Sequence, residues 1–179
     1  MNLILIGYRA TGKTTVAQVL SDRLGYEWMD ADVEIERRAG KSIAEIFAQD
    51  GEPAFRDLEA QVIADLCKRE QLVLAAGGGA PLRPESRQAM RAAGRVVWLK
   101  AGPETILARM SGDATTAGRR PDLTDRGGLA EIVDLLGKRT AIYRESAHLE
   151  VDTEGKTPEE IAGEILENGQ STPSGGGSA

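Results

Sequence analysis

An apolar run, Leu3-Ile4-Leu5-Ile6, leads straight into Gly7-Tyr8-Arg9-Ala10-Thr11-Gly12-Lys13-Thr14, and that junction restricts the fold more than any other stretch. It fits the phosphate-binding loop pattern G-x-x-x-x-G-K-[ST]. Glycines at both ends let the backbone wrap closely round an anion with successive N–H groups turned inward. Lys13 adds a compact positive charge for β- and γ-phosphates, and the Thr14 hydroxyl can reach a magnesium ion. The residues after Lys13 read as a helix, with Val16, Ala17, Val19, Leu20 and Leu24 on one side and Gly25 just past its end. The positive end of that helix then lies under the phosphates. A strand before the loop and an amphipathic helix after it are the context that makes the motif specific, so the chain is expected to bind ATP or GTP. An ordinary glycine-rich turn is the alternative.

Short apolar runs alternate with helical patterns along the rest of the chain. Candidate strands are Leu3–Ile6, Tyr26–Met29, Leu72–Ala76, Val96–Leu99 and Leu149–Val151. Alternation of this kind predicts a parallel sheet with helices on both faces. Ser42-Ile-Ala-Glu45 and Thr157-Pro-Glu-Glu160 have the form of capping boxes that open helices. Another helix follows Pro53, with Phe55, Leu58, Val62 and Leu66 on one side, and one from about Leu129 carries Ile132, Val133 and Leu136. Ser111 to Gly128 has few apolar residues and the length of an active-site lid. The tail from Asn168 to Ala179 has nothing to bury and is expected to be disordered. One domain over residues 1–167, with a lid at about 111–128, is the simplest organisation.

Ligands of an open parallel sheet gather at the carboxyl ends of its strands. The first strand delivers the phosphate loop, the second Asp30-Ala31-Asp32 and the third Gly77-Gly78-Gly79. In extended chain Asp30 and Asp32 point to the same side, so one can support magnesium through water while the other orients an attacking hydroxyl. Equally, one of them can cap the helix near Val33. The triple glycine implies a tight turn or a close backbone approach to a ligand. Arg119-Arg120-Pro121 stands in the lid, where a guanidinium can stabilise transition-state charge, and Arg56 beside Phe55 can reach the edge of a cleft. His148 reads as structural or surface, and Cys67 as a small buried residue.

Taken together, these residues resemble the shikimate kinases, small kinases of the aromatic amino-acid pathway. The similarity covers residues 1 to about 166. It rests on the ordered set G-x-x-x-x-G-K-T, Asp30-Ala-Asp32, Phe47-Ala-Gln-Asp-Gly51-Glu-Pro-Ala-Phe55-Arg56, Gly77-Gly-Gly79, Arg120-Pro121 and Lys138-Arg139-Thr-Ala-Ile-Tyr143-Arg144. The resemblance implies a three-layer α/β/α fold with a five-stranded parallel sheet of the nucleoside-monophosphate-kinase type and a mobile lid. It implies transfer of the ATP γ-phosphate to the 3-hydroxyl of shikimate with Mg2+. It further implies that Lys13, Asp32 and Arg120 are catalytic. ATP would meet Ala10, Thr11, Gly12, Lys13, Thr14, Thr15, Arg120 and Lys156, and the metal would lie near Thr14 and Asp30. Shikimate would meet Asp32, Arg56, Gly78, Gly79 and Arg139, the two arginines gripping its carboxylate.

The family commonly carries glycine where this chain has Ala10, a change that is tolerable if the position keeps φ negative. Asp122 departs from the family's lid, which usually has leucine there, and Arg109 is a further candidate for packing on adenine. A kinase for another small alcohol such as gluconate, and a non-catalytic nucleotide-binding switch, are the competing readings. Net charge of −6 argues against a nucleic-acid coat, and no run is long enough to span a membrane. A cytoplasmic monomer without membrane or nucleic-acid partners is therefore expected.

Overall fold

The computed structural model describes residues 1–112 and 128–170. Strand β1 (Asn2–Ile6) runs into the phosphate loop and helix α1 (Lys13–Leu24). Then come β2 (Glu27–Asp30), α2 (Ala31–Ala39), α3 (Ile43–Leu66), β3 (Leu72–Ala75), a single 3-10 turn at Ala80–Leu82 and α4 (Pro84–Ala93). The chain continues with β4 (Gly94–Lys100), α5 (Pro103–Gly112), α6 (Gly128–Ser146), β5 (Leu149–Asp152) and α7 (Pro158–Gln170). All five strands are parallel, in the order β2-β3-β1-β4-β5. This is the three-layer architecture that the alternation predicts.

Leu3–Ile6 of β1, all of β3 and Val96–Leu99 of β4 read as unbroken apolar runs because both faces of the sheet are covered there. Ile4, Ile6, Leu72, Leu74, Val96 and Trp98 pack on one side with Ile35, Phe55, Val62 and Tyr143. Their neighbours Leu3, Leu5, Val73, Ala75, Val97 and Leu99 pack on the other with Val16, Leu20, Ile161 and Ile165. A smaller cluster of Tyr8, Ile106 and Ile132 seats α5 and α6 behind the phosphate loop. Among the described residues no helix is long and apolar enough to cross a membrane.

Several boundaries differ from the sequence reading. Strand β4 is longer than expected and begins at Gly94, where a Cβ would lie 2.1 Å from the Asn2 carbonyl oxygen. That contact aligns the starts of β4 and β1. Helix α3 takes in both segments expected on either side of Pro53 and is broken at Gly51 (φ +83°). On α6 the buried positions are Glu131, Ile132, Arg139, Tyr143 and Ser146, whereas Leu129 and Val133 are exposed. Helix α7 runs to Gln170 and so includes the first residues assigned to a disordered tail. Both capping boxes form. Ser42 accepts from Glu45 N–H while Glu45 accepts from Ser42 N–H, and Thr157 and Glu160 do the same.

His148 is structural. Its Nδ1 accepts a hydrogen bond from the Val96 N–H at 3.0 Å, while the His148 backbone N–H donates to the Val96 carbonyl at 2.8 Å. Burial, and then the nearby Arg91 and Arg95, hold its pKa below the usual histidine value. Because the folded state favours neutral imidazole, this stability is present above the unfolded pKa of about 6.5 and is lost as pH falls towards the folded value. Urea unfolding should therefore show stability declining below that point, and His148→Asn, which keeps an acceptor that does not titrate there, should flatten the decline. An equally steep decline in the variant would assign it to other groups.

Candidate active site

The mouth formed at the carboxyl ends of β1, β2 and β3 is built on glycine. At Gly7 (φ +141°) a Cβ would sit 2.4 Å from the Leu99 carbonyl oxygen, so the loop leaves β1 only because nothing projects there. Gly12 (φ +87°) lies in open space and caps α1, so its requirement is conformational. Between them the loop closes on itself. Lys13 Nζ donates to the carbonyls of Gly7 and Tyr8, both at 2.8 Å, and the buried Thr11 hydroxyl donates to Tyr8 O at 2.8 Å. Ala10 has φ +61°. The condition of a negative φ is not met, and the loop places an L-residue in the left-handed region at a cost of about 1 kcal/mol relative to glycine.

Asp30 closes β2 and caps α2. Its Oδ1 accepts from Asp32 N–H at 2.9 Å and Val33 N–H at 3.4 Å. Its Oδ2 accepts from the Thr14 hydroxyl at 2.6 Å. One carboxylate thus performs the capping role and faces the residue expected to carry the metal. Because the chain turns helical at Ala31, Asp30 and Asp32 do not share the extended-chain geometry that their spacing suggested. Asp32 is half-buried in the first turn of α2.

The triple glycine is the meeting point of the arginines. A Cβ on Gly79 would lie 2.0 Å from Arg56 Nη1, and one on Gly78 would lie 3.5 Å from the Arg9 amide nitrogen and 3.6 Å from Arg139 Nη1. The Tyr143 hydroxyl donates to Gly78 O at 2.6 Å and fixes the turn. Arg56 and Arg139 are 8% and 6% exposed, so both guanidinium groups are held inside the mouth rather than solvated. Arg56 donates to Glu59 Oε2 at 2.7 Å, and Glu59 is itself buried. Arg9 pairs with buried Glu131 at 3.4 Å. The Arg9 and Arg139 guanidiniums stand 5.8 and 5.9 Å from the Tyr8 ring centroid.

Sequence reasoning gave no role to Glu59, Glu131 or Tyr8. Glu59 was detectable as a carboxylate three residues beyond Arg56 on the same helix. Glu131 and Tyr8 meet their arginines only through the tertiary fold. Arg109 bridges the phosphate loop to the turn after β5, donating to Ala10 O at 3.3 Å, Thr153 Oγ1 at 3.2 Å and Thr153 O at 3.4 Å. Lys156, in the same turn, is paired with Glu164 at 2.6 Å. Arg119, Arg120 and Asp122 lie outside the described residues, as does most of the expected lid. Cys67 is half-buried, and burial pushes its thiol up to about 11, as suits an inert packing residue.

Comparison with known proteins gives a consistent answer. A family model described as Shikimate kinase matches residues 9–170. A shikimate kinase of Rhodopirellula baltica is 44% identical over 165 residues, covering 92% of this chain and 88% of the relative. One from Symbiobacterium thermophilum is 39% identical, covering 93% and 95%. Among solved structures, shikimate kinase from Acinetobacter baumannii in complex with shikimate superposes with a TM-score of 0.89 at 38% identity, covering 95% of this chain and 93% of that one. The enzyme from Aquifex aeolicus gives 0.82 at 36% identity, covering 98% and 100%.

The conformation of Ala10 yields a direct test. Ala10→Gly should relieve the positive-φ strain and raise the unfolding free energy by up to about 0.5 kcal/mol, net of the added freedom of the unfolded chain. Chemical denaturation measures it; a lower midpoint in the variant would show that the strain is not stored at this position.

Proposed function

Since the chain belongs to the shikimate kinase family, we propose that the mouth around Gly77–Gly79 is where its two substrates meet and that the residues placed there divide the work. The enzyme is an ATP-dependent kinase that moves the γ-phosphate to the 3-hydroxyl of shikimate, giving shikimate 3-phosphate and ADP in aromatic amino-acid biosynthesis. The observation that carries the assignment of roles is the placement of Arg56 and Arg139 against Gly79 and Gly78, beside the phosphate loop.

Two buried guanidiniums suit a planar carboxylate, which they can hold bidentately. Their pairing partner matters, because Arg56 is already oriented by Glu59 before any anion arrives. The acceptor carboxylate thus meets a fixed fork, and its hydroxyl end is directed towards Asp32 at the start of α2. Asp32 would bind that hydroxyl and orient it for in-line attack. Lys13, held inside the loop by two carbonyls, would neutralise charge growing on the transferred phosphoryl group. Backbone N–H groups of Ala10 to Thr15 would cradle the phosphates, with Lys156 towards the adenine and Arg120 supplied from outside the described residues.

Mg2+ fits the donors present. The Thr14 hydroxyl and an Asp30 carboxylate oxygen are hard oxygen ligands 2.6 Å apart. Among the described residues no group of three His, Cys, Asp or Glu could form an all-protein cage. That combination suits an ion carried mainly by substrate phosphates and water, with one or two protein oxygens. When bound, the ion would supply charge neutralisation to the phosphates. A single-domain, cytoplasmic monomer acting on two small molecules completes the reading.

ADP release with ATP and Mg2+ should require shikimate and should not be supported by gluconate or by omission of the acceptor. Release with gluconate alone would select the other kinase reading, and tight ATP binding without release for any acceptor would select a switch. Lys13→Ala should lower kcat by about 10²–10³-fold. Gly79→Ala, whose methyl group displaces the Arg56 guanidinium, and Arg139→Ala should each raise the shikimate KM by about tenfold or more while leaving the ATP KM within about twofold. An unchanged shikimate KM in both would refute the clamp.

A further inference from the structure

A cavity of about 140 Å³ lies behind the phosphate loop, between the end of β4 and the middle of α6. Tyr8, Trp98, Leu136, Thr140, Lys100 and Arg144 line it, and none of Asp30, Asp32, Arg56, Gly78, Gly79 or Arg139 does. It is therefore separate from the acceptor clamp.

Two features specify an occupant. The volume is that of a single six-membered ring; a cavity of roughly this size in another protein admits benzene. Its walls include Trp98, Tyr8 and Leu136. Secondly, Lys100 and Arg144 share one carboxylate, Glu150, at 3.0 and 3.1 Å, and both stand over the Trp98 ring at 5.0 and 5.8 Å. Two cations served by one anion leave a positive charge beside an aromatic wall.

We propose that this cavity is an accessory binding site for a small monocyclic aromatic carboxylate. The ring packs on Trp98, and the carboxylate meets Lys100 and Arg144. The site adjoins the phosphate loop directly, because the Tyr8 carbonyl accepts from Lys13 and Thr11.

The probe is 4-hydroxybenzoate, with 4-hydroxybenzyl alcohol as its uncharged counterpart. The full chain carries two tryptophans, so Trp28→Phe leaves Trp98 as the only one, and 5-fluorotryptophan labelling gives a single fluorine NMR signal. Titration is made with ADP, Mg2+ and shikimate at saturation, so that the phosphate loop and the arginine clamp are already filled. The expected result is a saturable shift with a Kd of about 10 µM to 1 mM, as befits a ligand of this size. The alcohol should bind at least about tenfold more weakly. Thr140→Met should abolish the shift by filling the cavity. Arg144→Gln, at an exposed position, should weaken 4-hydroxybenzoate but not the alcohol. No shift up to about 10 mM, equal affinity for the alcohol, or an unchanged Kd in both variants would overturn the proposal. The readout needs no turnover, so its failure and that of the kinase assignment are distinguishable.

Discussion

The absence of a side chain at Gly7 is the constraint on which the site depends. The loop after β1 must turn within van der Waals contact of the β4 backbone, and a methyl group there would stand 2.4 Å from the Leu99 carbonyl. With β1 at the centre of the order β2-β3-β1-β4-β5, that loop borders the ends of both neighbouring strands. Gly78 can then approach the carbonyl of Gly7, to within 3.4 Å of where its own Cβ would be. The phosphate loop, the triple glycine and the arginines that surround them are brought together by that one close approach.

The charges at the mouth are held at a cost. Burying Arg56 with Glu59, and Arg9 with Glu131, removes four ionised groups from water, and such pairs seldom add net stability. What they give is orientation. A guanidinium already desolvated and aimed loses little further freedom when a carboxylate arrives. Removing one partner leaves an uncompensated buried charge, so Glu59 and Glu131 constrain the site although neither sits in a recognised motif. Ala10 adds a smaller strain in the same loop, balanced in part by Arg109, which ties its carbonyl to the turn after β5.

Much of this was legible in the residue order. Five apolar runs gave the strands to within a residue or two, because strands covered on both faces need no polar alternation. The two capping boxes and Gly25 marked helix ends through local hydrogen bonding alone. The pairing of Lys13 and Thr14 with a glycine-bounded loop carried its chemistry in its spacing. Asp30 and Asp32 show the limit of such reasoning. Their separation of two suggested a shared face, but the chain becomes helical between them, and capping assigns one carboxylate to Thr14 and the α2 backbone.

The sequence by itself determined the alternation of strand and helix, the phosphate loop and the family, since each rests on local spacing or on an ordered set of motifs. Only the tertiary structure decided which arginines are buried, which carboxylates orient them, the positive φ of Ala10, and the cavity behind Tyr8. Those features join residues far apart in the chain, as Arg9 with Glu131 and Gly78 with Tyr143. Contacts of that kind are fixed by how the layers pack, and neither residue's immediate neighbours carry any trace of them.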